Sequence, residues 1–168
     1  LKLEVDHIFW DLGSGSGSVA IEASLFVRKG RIIAVEKNYK RSQQIKLNRQ
    51  RFNVKNMEVI HGILPDAMEG LPRPDRVFIG GGGKDLPELI QTANRRLQPS
   101  GTIVVNTVLL SNMASAIAVM EECGLHTDTV QLQVNRCRKM PWDQRLEAEN
   151  PVWIISGEKK GRARTTVV

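Results

Sequence analysis

Asp11-Leu12-Gly13-Ser14-Gly15-Ser16-Gly17-Ser18 is the segment of this sequence most suited to chemistry. Glycines at alternate positions let a ligand approach the backbone where side chains would otherwise stand in the way. Dinucleotide sites favour G-x-G-x-x-G and seat a pyrophosphate on the helix that follows. Here the spacing is G-x-G-x-G, and Asp11 stands two residues before the first glycine. A carboxylate there repels a pyrophosphate but suits a ligand that carries an ammonium and a sulfonium. S-adenosylmethionine is such a ligand, so Asp11, Gly13, Ser14, Gly15, Ser16 and Gly17 are expected to hold it.

Two further stretches fit the same ligand. Glu36 follows Gly13 by 23 residues, the place from which an acid accepts both hydroxyls of an adenosine ribose, and Lys37 beside it is grouped with the cofactor contacts. Gly62-Ile63-Leu64-Pro65 is placed to flank the adenine, with Ile63 and Leu64 supplying apolar contact. On the acceptor side, Phe78-Ile79-Gly80-Gly81-Gly82-Gly83-Lys84 stands where nucleic-acid amine methyltransferases carry an Asn/Asp-Pro-Pro-aromatic tetrapeptide. It offers no amine acceptor and no stacking ring. Gly80, Gly81 and Gly82 instead make a floor without side chains, and their backbone N–H groups can face an anion.

These residues need strand ends to carry them. Apolar, β-rich runs at His7–Leu12, Arg31–Glu36, Met57–His61, Arg76–Ile79 and Thr102–Val108 alternate with helical patterns, which predicts βαβ units and a parallel sheet. The helices are expected over Val19–Val27 with Ser18 as cap, Tyr39–Phe52, a short stretch after Pro65, Leu86–Leu97 and Ser111–Cys123. Leu86, Leu89, Ile90, Ala93 and Leu97 recur at helical spacing and predict one buried stripe. After Gly124 the rhythm changes. Thr127–Val134 and Val152–Ser156 read as two strands flanking a polar, basic loop, an antiparallel hairpin that closes the sheet edge. That ending is typical of class I methyltransferases and unusual for nicotinamide dehydrogenases. The expected fold is thus a class I Rossmann-like methyltransferase: a mostly parallel seven-stranded sheet, helices on both faces and a C-terminal antiparallel hairpin.

The 168 residues suit one domain, expected over residues 1–159, with a poorly ordered basic tail over 160–168. The first residue is Leu1, so an N-terminal segment of a longer chain is expected to be absent. No run of roughly 18 apolar residues is present to span a bilayer. Two cysteines without C-x-x-C spacing, Cys123 and Cys137, fit the cytoplasm and give no metal site. The 24 basic and 18 acidic residues leave +6, which favours an anionic partner without choosing one. Much of the excess falls in Lys37–Lys55 and Lys159–Arg164, where a solvated helix face and a frayed end account for it.

The residues Trp10 to Val19, Arg76 to Gly83 and Asn150-Pro151-Val152 resemble the decarboxylating C15-methyltransferase family of corrin synthesis, whose members act on precorrin-6B or its cobalt form. The likeness runs from Leu3 to about Lys159. It implies Gly13, Ser14, Gly15, Ser16, Gly17, Glu36 and Leu64 as cofactor contacts, a polycarboxylate tetrapyrrole as substrate and a homotetramer. The family's Thr-containing segment before the first strand is missing here, and the loop Arg136–Glu149 matches in little detail. A carboxylate-rich substrate calls for cations, and Lys84, Arg136, Arg138, Lys139 and Arg145 are available. Asn106, at the end of the fifth strand, can line the pocket. His61 fits a structural role at a strand end better than proton transfer, and no catalytic base stands out. An RNA methyltransferase remains the alternative, on the strength of the basic helix, and a domain that binds the cofactor without turnover is a third reading.

Overall fold

The computed structural model describes residues 1–81 and 83–161. Gly82 and residues 162–168, which make up most of the expected tail, lie outside the described residues. The chain runs β1 (Ile8–Leu12), α1 (Ser18–Ala23), β2 (Arg31–Glu36), α2 (Tyr39–Arg51), β3 (Met57–His61), β4 (Arg76–Ile79), α3 (Leu86–Arg96), β5 (Thr102–Thr107) and α4 (Leu110–Glu122). Four strands follow: β6 (His126–Leu132), β7 (Asn135–Lys139), β8 (Gln144–Ala148) and β9 (Val152–Glu158). Short 3-10 turns at Asp66–Met68 and Gly83–Asp85 complete the order.

Seven strands form one sheet in the order β3-β2-β1-β4-β5-β9-β6. The first five are parallel, and β9 runs antiparallel between β5 and β6. Parallel strands covered on both faces are buried nearly throughout, and β2 shows it: Ile32 to Glu36 are all buried. Alternate residues serve alternate layers. Trp10, Leu12, Ile33, Val35, Val77, Ile79, Ile103 and Val105 pack under α3 and α4. Phe9, Ile32, Ala34, Phe78 and Val104 pack under α1 and α2, with Ala20 and Ile45. The expected stripe on α3 is buried at Leu86, Leu89, Ile90 and Ala93. Its C-terminal carbonyls are held from a distance, because the Lys159 ammonium donates to Asn94 O at 2.8 Å and Leu97 O at 3.2 Å.

Two expectations need correction. Ser18 is not the cap of α1 but its first residue. Gly17, in the left-handed region at φ 78°, takes the cap position, and it has no side chain to offer. The helix also stops at Ala23, four residues short of Val27, although Val27 is buried. The second correction concerns the polar loop, which is strand. The ribbon β7–β8 continues the β6–β9 hairpin, and the Glu149 N–H donates to Val134 O at 2.9 Å. Since β6 is parallel to β5, the ribbon leaves from the sheet edge where β1, β4 and β5 end. All of its strand residues are exposed.

Candidate functional site

At the C-terminal ends of β1, β2, β3 and β4 lies a cavity of about 370 Å³, lined by Gly13, Glu36, Lys37, Arg41, Gly62 to Leu64, Gly80, Gly83, Lys84, Asp85 and Leu89. Crevices at strand ends are where open α/β sheets take ligands. Nine residues of the segments singled out from the sequence therefore meet: Gly13, Glu36, Lys37, Gly62, Ile63, Leu64, Gly80, Gly83 and Lys84.

The turn after β1 is fixed by backbone contacts. Gly13 N–H and Ser14 N–H both donate to Val35 O, at 2.9 and 3.1 Å, and Gly17 N–H closes the turn on Ser14 O at 2.8 Å. Ser14 Oγ donates to Asp11 O at 2.7 Å, so this serine braces the loop from inside. Gly13 and Gly80 touch across the β1–β4 boundary. A Cβ on Gly80 would sit 3.2 Å from Gly13 O, and one on Gly13 3.5 Å from Gly80 O.

Glu36 is buried, and both of its oxygens are engaged. Oε2 accepts the Gly15 N–H at 2.9 Å, and Oε1 accepts the Asn38 N–H at 2.8 Å. A carboxylate has about four acceptor sites, so capacity remains for two hydroxyls of a bound ligand. Asp11 is buried completely. Its Oδ2 accepts the Ala20 N–H at 3.2 Å and so caps α1 from the neighbouring strand, the role the sequence assigned to Ser18. Its Oδ1 has no partner among the described residues. Burial raises its pKa to about 7, Glu36 adds to the rise, and the Ala20 N–H and Ser14 oppose it.

The remaining expected residues lie apart. Arg138 sits on the exposed ribbon, ion-paired with Glu147, as Arg136 is with Glu149. Gly81 borders the cavity loop without lining it, and Asn106 is the last but one residue of β5, two strands from β1. The His61 ring nitrogen Nε2 is 3.0 Å from Lys37 O, and its ring meets Tyr39 edge-on, which is the structural role. Arg41, Asp85 and Leu89 line the cavity and were not read from the sequence. Arg41 carried a signal: its N–H donates to Asn38 Oδ1, the N-cap of α2, and it stands in that helix's first turn next to Glu36. A second hollow, about 460 Å³ between Lys46, Arg49 and Lys55, lies at the far end of α2. A 13-residue helix puts it roughly 20 Å from the Glu36 end.

A dinucleotide's pyrophosphate has no place beside buried Asp11, and an antiparallel strand inserted next to β5 departs from the dehydrogenase sheet. Fold and site together define a class I methyltransferase dependent on S-adenosylmethionine. Comparison with known proteins narrows the class: the chain belongs to the precorrin methyltransferase domain family, whose description matches residues 1–159. It is 34% identical over 163 residues to the cobalt-precorrin-6B C(15)-methyltransferase (decarboxylating) of Salmonella typhimurium, covering 95% of this chain and 83% of that protein. A probable enzyme of the same name from Pyrobaculum calidifontis is 34% identical over 158 residues, 93% of this chain and 80% of the other. The crystal structure of precorrin-6y C5,15-methyltransferase from Geobacter metallireducens matches with a TM-score of 0.89 at 37% identity, over 95% of this chain and 84% of that one. A SAM-dependent O-methyltransferase of Thermotoga maritima, 16% identical over 98% of this chain and 63% of that one, has a TM-score of 0.77 and shares the fold.

Proposed function

We propose that the protein methylates precorrin-6B, or its cobalt form, at C15 and removes CO₂ from the ring C acetate, a step of corrin synthesis. The observation that carries this reading is the side-chain-free floor at Gly80 beside the cofactor cavity, in a chain similar over most of its length to enzymes named for that reaction. In this reading Asp11, Gly13 to Gly17, Glu36, Lys37, Ile63 and Leu64 hold the cofactor. Gly80, Gly81 and Lys84 face the acceptor, Gly82 belongs to the same loop by sequence, and Asn106 in β5 and Arg138 on the ribbon, the latter paired with Glu147, complete the acceptor side.

When bound, S-adenosylmethionine supplies a methyl group made electrophilic by the sulfonium. Glu36 holds the Gly15 backbone and offers its remaining lone pairs to the ribose. Ile63 and Leu64 give the adenine an apolar wall. The glycine floor lets a broad macrocycle reach the methyl group, and Lys84 meets a rim carboxylate. The substrate's C15 is conjugated to a ring nitrogen and is nucleophilic as an enamine is, so alignment carries the methyl transfer. Loss of CO₂ uses an imine of the macrocycle as electron sink. No protein base is required by either step.

Incubation with S-adenosylmethionine and precorrin-6B should give a product that has gained one methyl and lost one CO₂, read by mass spectrometry. Unchanged substrate in both metal-free and cobalt forms would defeat the reading. Methyl incorporation into RNA, with binding that weakens steeply as salt rises, would revive the alternative. The relatives at 34% and 37% identity are named for methylation of precorrins, and the basic residues of α2 line a hollow far from the cavity.

We also propose a homotetramer working in the cytoplasm. Among the described residues no helix is long and apolar enough to cross a membrane. An isolated two-stranded ribbon is marginal in water, and β7–β8 exposes Trp142 at 84% and Leu146 at 72%. A neighbouring copy seated there would cover them. Light scattering should report four copies, and a monomer at working concentration would remove this proposal.

A further inference from the structure

Strand register sets three residues in a row at the reacting edge of the sheet. Leu12 pairs with Ile79, and Ile79 with Val105. One step further on, Gly13, Gly80 and Asn106 stand side by side, and Asn106 pairs with Ile154 on its other flank. Alternation places the Asn106 side chain on the same face as Val104, which packs with Phe9 and Phe78 under α1 and α2. On that face Gly13 and Gly80 contribute no side chain. The row is therefore bare from the cofactor turn to Asn106, a reach of roughly 10 Å across two strand spacings.

At the end of this bare row the Asn106 amide oxygen is buried and has no hydrogen-bond partner among the described residues. Leaving a buried acceptor unpaired is costly, and a valine or threonine would pack at a strand position without that cost. An unpaired oxygen calls for a donor, and a half-turn of the amide about Cβ–Cγ, which exchanges its oxygen and nitrogen, turns the oxygen out of the core to meet an arriving one. Just beyond it, past buried Thr107, come three consecutive exposed aliphatic residues: Val108 at 54%, Leu109 at 53% and Leu110 at 67%. Such a run on a protein surface marks a binding face.

We propose that Asn106 is a positioning residue for the methyl acceptor: its Oδ1 accepts a hydrogen bond from a ring N–H of the macrocycle, while Val108, Leu109 and Leu110 seat the macrocycle's apolar face. The assignment rests on the reading of the substrate given above. A hydrogen bond accepted from a nitrogen conjugated to the reacting carbon does two things. It orients the ring against the methyl donor, and it shifts electron density from nitrogen towards that carbon, which makes the carbon a better nucleophile. A cobalt-loaded macrocycle has metal in place of those ring hydrogens and cannot make this bond.

Three proteins test the assignment: the wild type, Asn106→Ala and Asn106→Asp, which keeps an oxygen acceptor. Each is assayed for S-adenosylhomocysteine affinity by calorimetry and for kcat and KM with metal-free and cobalt-loaded precorrin-6B. Cofactor affinity should stay within about twofold in both variants, which also reports that they fold. With metal-free substrate, Asn106→Ala should lose roughly tenfold in kcat/KM, the scale of one lost hydrogen bond, and Asn106→Asp should recover most of it. With cobalt-loaded substrate the alanine variant should match the wild type. Cofactor affinity falling in step with turnover would overturn the proposal by placing Asn106 in the fold or the cofactor site. So would an aspartate variant no better than alanine, equal losses on the two substrates, or wild-type turnover of the cobalt form alone. Wild-type protein inert towards both substrates would defeat the substrate reading itself, a distinct outcome from wild-type turnover with unaffected variants.

Discussion

Gly15→Val will abolish S-adenosylhomocysteine binding while leaving a cooperative thermal transition. A Cβ at Gly15 meets no protein atom within 4 Å, so the added carbons enter only the space above the cofactor turn. The backbone there is left-handed, at φ 58°, and a β-branched residue costs about 1–2 kcal/mol in that region, which a folded domain withstands. Gly17→Val makes the control. The sequence suggests that both glycines clear space for the ligand, but a Cβ on Gly17 would stand 2.8 Å from Ile45 Cγ2 and 3.2 Å from Ile45 Cγ1. That substitution drives α1 away from α2 and will lower the melting temperature before binding is considered. Calorimetry and thermal melts on the pair separate the two causes. Normal affinity in Gly15→Val would mean that this turn is not the cofactor cradle.

Cofactor affinity will depend on pH through Asp11. Burial holds its pKa near 7, well above its ordinary value of 3.8, so near neutrality the free protein carries this carboxyl only partly ionised. A ligand bearing an ammonium favours the ionised form. Between pH 7 and pH 5 the affinity for S-adenosylhomocysteine should fall by about tenfold per unit, as protons compete for the carboxylate. Stability of the free protein moves the other way. A carboxyl whose folded pKa is raised contributes stability that is complete below the unfolded value near 4 and is lost as pH rises through 7. Asp11→Asn keeps an oxygen for the Ala20 N–H and removes the titration. Its affinity should be low and flat with pH, by calorimetry, and its melting temperature should no longer carry the Asp11 decline between about pH 4 and 7. A wild-type affinity that does not vary over this range would show that Asp11 exchanges no proton on binding.

Much of the fold was legible because local rules and tertiary demands agree. β2, β3 and β4 have the bounds that their β-rich runs predict; in β2 and β4 every residue after the leading arginine is buried, as strands covered on both faces require, while β3 at the sheet edge carries Glu58 and exposed His61 among its apolar residues. The start of α1 was not legible, because its capping group comes from Asp11, on another element and nine residues before the Ala20 N–H that it accepts. The β7–β8 ribbon was missed for a related reason. Asn135 to Lys139 and Gln144 to Ala148 are exposed throughout, so no apolar alternation betrays a strand. In the site, the glycine turn and Glu36 are fixed by short spacings that survive in one dimension. Leu89 and Asp85 reach the cavity only because α3 begins where β4 ends, and the ion pairs of Arg136 and Arg138 appear only once β7 lies against β8.

The contact between Gly13 and Gly80 ties two loops with different duties into one joint. A side chain at position 80 would press on the Gly13 backbone, and position 13 is itself held in the left-handed region at φ 76°, so the turn after β1 and the start of the loop after β4 are not free to vary separately. Innovation in what this scaffold modifies is thereby channelled outward. Residues past Gly80, and the turn after β5, can be exchanged for new acceptors while the methyl supply stays in register, whereas position 80 itself answers to both partners and is inherited as part of the donor.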